Sequence, residues 1–237
     1  MSSAPPRPPD GLVVLLTDNH LLVVDKPAGL LTQAATAGDD NLVDRARAWL
    51  VATHDKPGNA FVGLVHRLDR NVSGVVVLAR TSKAASRLSD AFRTRRVEKT
   101  YLAVVVGAPP AEGVLEHRLA DGPERVAPSP QGKPARLRFT RLADDARHGL
   151  AVLEVDLDTG RKHQIRAQLA AAGFPLLGDP RYGARSPLIA RPALHAWRVA
   201  FPHPVGAAPV SVEAPVPADL ARVLERVAPG RFHPAPS

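Results

Sequence analysis

The sequence predicts an α+β domain built on a mixed, mostly antiparallel sheet flanked by helices. Three observations predict it: eight short apolar runs of strand length, a few scattered stretches of helical spacing, and no regular strand–helix alternation of the Rossmann type. With 237 residues, 45% of them hydrophobic, the chain can bury a substantial core, which excludes wholesale disorder.

Residues 1–10, with the run Pro5-Pro6-Arg7-Pro8-Pro9, read as a disordered arm. Strands are expected over 12–16 and 21–25, where apolar residues dominate. A helix follows over 42–53, because Leu42, Ala46, Trp49, Leu50 and Thr53 share a face and Asn41 can cap it. After a strand over 74–79, Ala84, Leu88, Ala91 and Phe92 line one face of a helix over 83–95, starting behind Ser82. Strands over 100–106, 136–142 and 150–156 lead to a helix over 163–172. There Ile165, Leu169 and Ala172 align and Gly173 can end the helix. Strands over 194–201 and 209–213 precede a last helix over 217–227, which starts on Pro217 and carries Leu220, Val223, Leu224 and Val227. Residues 229–237 read as a frayed tail. No Gly/Ser linker, charge block or internal repeat interrupts residues 11–228, so one domain is expected there.

The net charge of +8 favours a polyanionic partner, of which nucleic acid is the usual one. The 25 Arg against 6 Lys suit RNA, since Arg forks onto phosphate and stacks on bases. GC-rich coding produces the same ratio, but it leaves the charge excess untouched. Cysteine is absent, which excludes disulfides, thiolate catalysis and cysteine-ligated zinc. The nine His show no paired ligand spacing, so no metal site is expected. Neither a glycine-rich phosphate loop nor a Gly-x-Ser-x-Gly elbow occurs, and no cofactor is expected. No apolar run has membrane-spanning length and the N-terminus is unlike a signal peptide. A soluble, cytoplasmic, monomeric protein with no membrane partner is the expectation.

The chemistry concentrates at 63–80. An apolar stretch stops at His66-Arg67-Leu68-Asp69-Arg70, and a turn over 71–74 leads into a strand. An aspartate between two arginines has its charged form favoured. Such a carboxylate, held in a cleft, can act as nucleophile or base at a sugar carbon. On spacing alone, a structural Arg–Asp turn is the commoner arrangement.

The run resembles the signature of the RluA-like family of RNA pseudouridine synthases: His-Arg-Leu-Asp, two variable positions, then Thr-Ser-Gly. His66, Arg67, Leu68, Asp69, Ser73 and Gly74 match, and Val72 stands where Thr is usual. Further segments are similar in the same order. They are Leu22 to Leu30 with Lys26-Pro27-Ala28-Gly29, Lys99-Thr100-Tyr101-Leu102-Ala103, Gly132-Lys133-Pro134-Ala135, and Thr159-Gly160-Arg161-Lys162-His163-Gln164-Ile165-Arg166. Gly178-Asp179-Pro180-Arg181-Tyr182-Gly183 and Leu194-His195-Ala196 close the series. Gln168 stands where His usually follows.

The resemblance implies a pseudouridine-synthase-like fold and a cofactor-free, aspartate-dependent isomerisation of uridines in a structured rRNA or tRNA stem-loop. Asp69 would be the catalytic carboxylate, by nucleophilic attack on the anomeric carbon or by removing a ribose proton. Tyr101 would stack on the uracil, and Arg166 would pair with Asp69. Arg67 would fill the gap left by the flipped base, with His66 and Arg70 beside it on the substrate side. Arg70, Arg87, Arg93, Arg95 and Arg96 are candidates for the RNA backbone. The small RNA-binding module that precedes the catalytic domain in many relatives is not expected here, since the motifs begin near residue 21. Two rivals remain. A noncatalytic RNA-binding protein need not keep Asp69, Tyr101 and Arg166 together. A glycoside hydrolase usually needs two acids across one site, and the motif supplies one.

Overall fold

A computed structural model describes residues 11–54, 60–183 and 185–232. The arm expected over 1–10 lies outside the described residues. Those described form eleven strands and four helices, and the strands within each unit pair antiparallel. The chain divides into two compact units, 1–97 with 198–214, and 98–197 with 215–237.

In the first unit, β1 (Val13–Thr17) pairs with β2 (Leu21–Lys26), and β2 with β4 (Ser73–Ala79), in register Leu21 opposite Ala79 and Lys26 opposite Gly74. The two-residue β3 (Gly63–Leu64) lies on the end of β4. β10 (Leu194–Pro202) enters this unit at Arg198 and pairs with β11 (Pro209–Glu213). Alternate residues of β2 and β4 (Leu21 and Val23, Val75 and Val77) pack on Ala84, Leu88 and Ala91 of α2 (Ser82–Arg93). That is the face the spacing predicts. Burying Leu88 there is worth about 2–5 kcal/mol relative to alanine. The cap of α2 is Thr81, whose Oγ1 accepts from Ala84 N, one residue before the expected Ser82. Asn41 caps α1 (Leu42–His54) as expected, its Oδ1 accepting from Asp44 N.

In the second unit the strand order is β5 (Glu98–Val106), β9 (Leu150–Leu157), β8 (Lys133–Asp145), β6 (Glu112–Asp121) and β7 (Val126–Pro128). α4 (Ala218–Val227) lays Leu220, Val223, Leu224 and Val227 on Leu102, Val104, Leu150 and Val152. Phe232, expected in a frayed tail, is buried in the same cluster and lies edge-on to Trp197. α3 (Gln164–Ala171) packs Ala167 against Leu119, Val126 and Ala135. Gly173, at φ 87°, ends it, and Phe174 N donates back to Leu169 O. β3, β6 and β7 were not expected from the sequence. No helix among the described residues is long and apolar enough to cross a membrane.

Candidate active site

The segment carrying Asp69 runs between β3 and β4, and it is held on both sides of the aspartate. Leu68 is buried and anchors the loop from below. Thr32, itself buried, uses one hydroxyl on both sides of Leu68: Oγ1 donates to Leu68 O (2.8 Å) and accepts from Leu68 N (3.2 Å). On the other side, Arg70 O accepts from Gly29 N (2.8 Å) and from Lys26 Nζ (3.1 Å). Lys26 is fully buried and also donates to Pro27 O and Leu30 O, so its ammonium is the centre of the Lys-Pro-x-Gly turn. A buried ammonium is tolerated because its donors meet carbonyl oxygens. Val72 N donates to Asp69 O and closes the turn. Asp69 is thus half-buried between two fixed peptides, while Arg67 and Arg70 are exposed. Arg70 Nε returns to Gly29 O at 2.9 Å.

His66 accepts Val77 N at Nε2 (2.9 Å) and stacks on Phe92, with centroids 4.6 Å apart. One ring nitrogen and one ring face are therefore committed to holding the loop against β4 and α2. Val72 is buried, so the valine that replaces the usual Thr fills apolar space.

In the second unit, Tyr101 is a buried residue of β5 opposite Val155 of β9. Arg166, in α3, forks onto Asp179, with Nε to Oδ2 at 2.7 Å and Nη2 to Oδ1 at 3.0 Å. Asp179 is fully buried and also accepts from Arg181 N and Tyr182 N. Burial works to raise its carboxyl, but the Arg166 bonds and those amides outweigh it and hold the group below the usual carboxylate value. The Arg166 guanidinium also lies 5.0 Å from the Tyr182 ring centroid. Tyr182 OH accepts from Val126 N and bonds His163 Nδ1. Asp69 and Arg166 belong to different units.

The sequence assigns Asp179 no role, yet it is the buried partner of Arg166. Its Gly-Asp-Pro-Arg-Tyr-Gly segment is visible in the sequence, but nothing local links it to Arg166, 13 positions away. Gln168, the other departure, is fully buried and donates Nε2 to Leu115 O and Ala135 O, tying α3 to β6 and β8. Among the described residues, no three His, Asp or Glu side chains gather as metal ligands.

A loop-held aspartate preceded by His-Arg-Leu, in an antiparallel α+β framework, is what the resemblance to an RNA-modifying isomerase implies. The sequence model of the RNA pseudouridylate synthase family matches residues 20–171, and the chain belongs to that family. It is 38% identical to ribosomal large subunit pseudouridine synthase D of Xanthomonas campestris, over 90% of this chain and 68% of that protein. It is 36% identical to an uncharacterized RNA pseudouridine synthase of Bacillus subtilis, over 88% of this chain and 70% of that one. Human RNA pseudouridylate synthase domain containing 4 shares the fold at TM-score 0.75 and 24% identity, over 90% of this chain and 92% of that one. The expected fold, family and isomerase class are thereby established.

Proposed function

We propose that the chain converts uridine to pseudouridine in large-subunit ribosomal RNA, with Asp69 as the catalytic carboxylate. The double clamp on the peptides either side of Asp69 carries this reading. It holds one half-buried acid in a fixed place, as a reaction at a single sugar carbon requires. The ribosomal substrate is favoured over transfer RNA by the relatives named ribosomal large subunit synthases.

The reaction breaks the bond from uracil nitrogen to ribose, turns the base and rejoins it through a ring carbon, with no net redox change or hydrolysis. Asp69 either takes the anomeric carbon covalently or removes a ribose proton. Arg67, exposed beside it, fills the stack left by the flipped uridine. Tyr101 stacks on the uracil, and the family resemblance gives Arg166 the role of ion-pair partner to the catalytic carboxylate. Arg70 contributes on the substrate side, and His66 acts through the loop it anchors. Mapping pseudouridines in large-subunit rRNA from cells with and without the protein tests this reading. A site lost from that RNA supports it, and a site lost only from transfer RNA moves the substrate.

A further inference from the structure

The arginines at the end of α2 are the obvious phosphate ligands in the sequence, and three of them have local partners. Arg93 and Arg96 both pair with Asp90, and Arg87 donates to Pro204 O at 2.6 Å. The second unit carries another group of cations. A cleft of about 440 Å³ is lined by residues 119–121, 131–133 and 160–162 together with Val126. It holds Lys133, Arg161 and Lys162 against a single acid, Asp121, which pairs with Lys162 at 3.1 Å on the exposed surface. Lys133 and Arg161 have no ion-pair partner among the described residues, and both are exposed.

The rims of this cleft are fixed from beneath. Buried Gln164 accepts from Thr159 Oγ1 (2.8 Å) and from Arg161 N (2.9 Å), and donates to Arg136 O (3.1 Å). Arg136 N in turn donates to Thr159 Oγ1. Arg161 is steered by one edge, Nε donating to Pro134 O at 2.9 Å. On the opposite rim, Gly132 is pressed so close to β6 that a Cβ there would fall 2.4 Å from the Leu119 backbone. Lys133 therefore begins β8 in a fixed position. Cations held in place without a carboxylate partner lose less entropy and give up fewer bonds when an anion arrives.

We propose that this cleft is a phosphodiester-binding groove for the substrate RNA, with Lys133 and Arg161 as its main phosphate contacts and Lys162 exchanging Asp121 for phosphate. The identity of the ligand rests on the reading of the chain as an RNA isomerase. Phosphate contacts fix register without reading sequence, and each one adds to the salt dependence of binding.

The test is binding of labelled oligo(U) to the full chain across ionic strength. The double variant Lys133→Gln/Arg161→Gln should weaken binding on the order of tenfold and flatten the log–log salt slope by about 1.4, two contacts at about 0.7 each. Arg93→Gln/Arg96→Gln should change the slope less. Equal affinity and slope for the cleft variant would overturn the proposal. So would loss of the slope in Lys133→Arg/Arg161→Lys, which keeps the charges, because folding and not charge would then be responsible. Inorganic phosphate should compete no better than chloride of equal ionic strength, and specific displacement by it would reassign the cleft to a free anion. Uridine conversion by the unaltered chain is scored separately. Conversion with cleft-independent binding strikes the groove alone, and cleft-dependent binding without conversion strikes the isomerase reading alone.

Discussion

Thr32 holds both polar groups of Leu68: one buried hydroxyl donates to its carbonyl at 2.8 Å and accepts from its amide at 3.2 Å. The two residues are 36 positions apart, and the bond pair places Asp69 one residue beyond a fixed point. Thr32→Val keeps the shape but strands two buried backbone groups. It should cost about 1–3 kcal/mol and slow single-turnover conversion at saturating RNA. Thr32→Ser keeps the hydroxyl and should restore most of both. Urea unfolding alongside single-turnover rates checks this, and equal behaviour of Val and Ser would remove the clamp from the account.

Asp25 gives a pH dependence with a definite sign. Burial pushes its carboxyl up from 3.8 to about 6, against the attraction of Lys26 and a bond from the Gly74 amide. Its Oδ1 is buried with no hydrogen-bond partner among the described residues. The folded chain binds this proton more tightly than the unfolded chain, so stability falls as pH rises from about 4 to about 6 and then levels, by at most about 3 kcal/mol. Asp25→Asn should be more stable than the parent at pH 8 and gain little at pH 4. Thermal unfolding at the two values reads the difference, and an equal gain at both would contradict the buried-charge explanation.

The Arg166–Asp179 fork is a buried ion pair, and losing one partner should cost far more than losing both. Asp179→Ala strips two hydrogen bonds from a buried guanidinium and should destabilise the chain by about 3–5 kcal/mol. Arg166→Met/Asp179→Leu should recover much of that stability while remaining inactive. Additive losses in a denaturant double-mutant cycle would show the two side chains to be independent.

Local pattern carried the four helices and eight of the strands, because burial on one face writes a 3.6 or 2 period into the residues themselves. β6 escaped because Glu112 to Asp121 alternates Glu, Val, Glu and Arg on one face with Gly, Leu, His and Leu on the other, leaving no apolar run. The short β3 and β7 have too few residues to carry a period. At the site, the motif named Asp69, but its supports were not legible. Thr32 and the buried Lys26 ammonium act across 36 and 44 positions, where spacing holds no information. His66 reads as a substrate contact in sequence, yet its Nε2 bond to Val77 depends on how β4 folds back.

Asp69→Asn bears most directly on the account. It keeps the size of the side chain and both clamped peptides, and removes the negative charge and the nucleophile. The measurement is release of label from the uracil ring of large-subunit rRNA under single-turnover conditions, with oligo(U) binding measured on the same preparation. The account predicts RNA binding close to that of the unaltered chain and no detectable conversion. Conversion at an undiminished rate by a variant that binds RNA would contradict it.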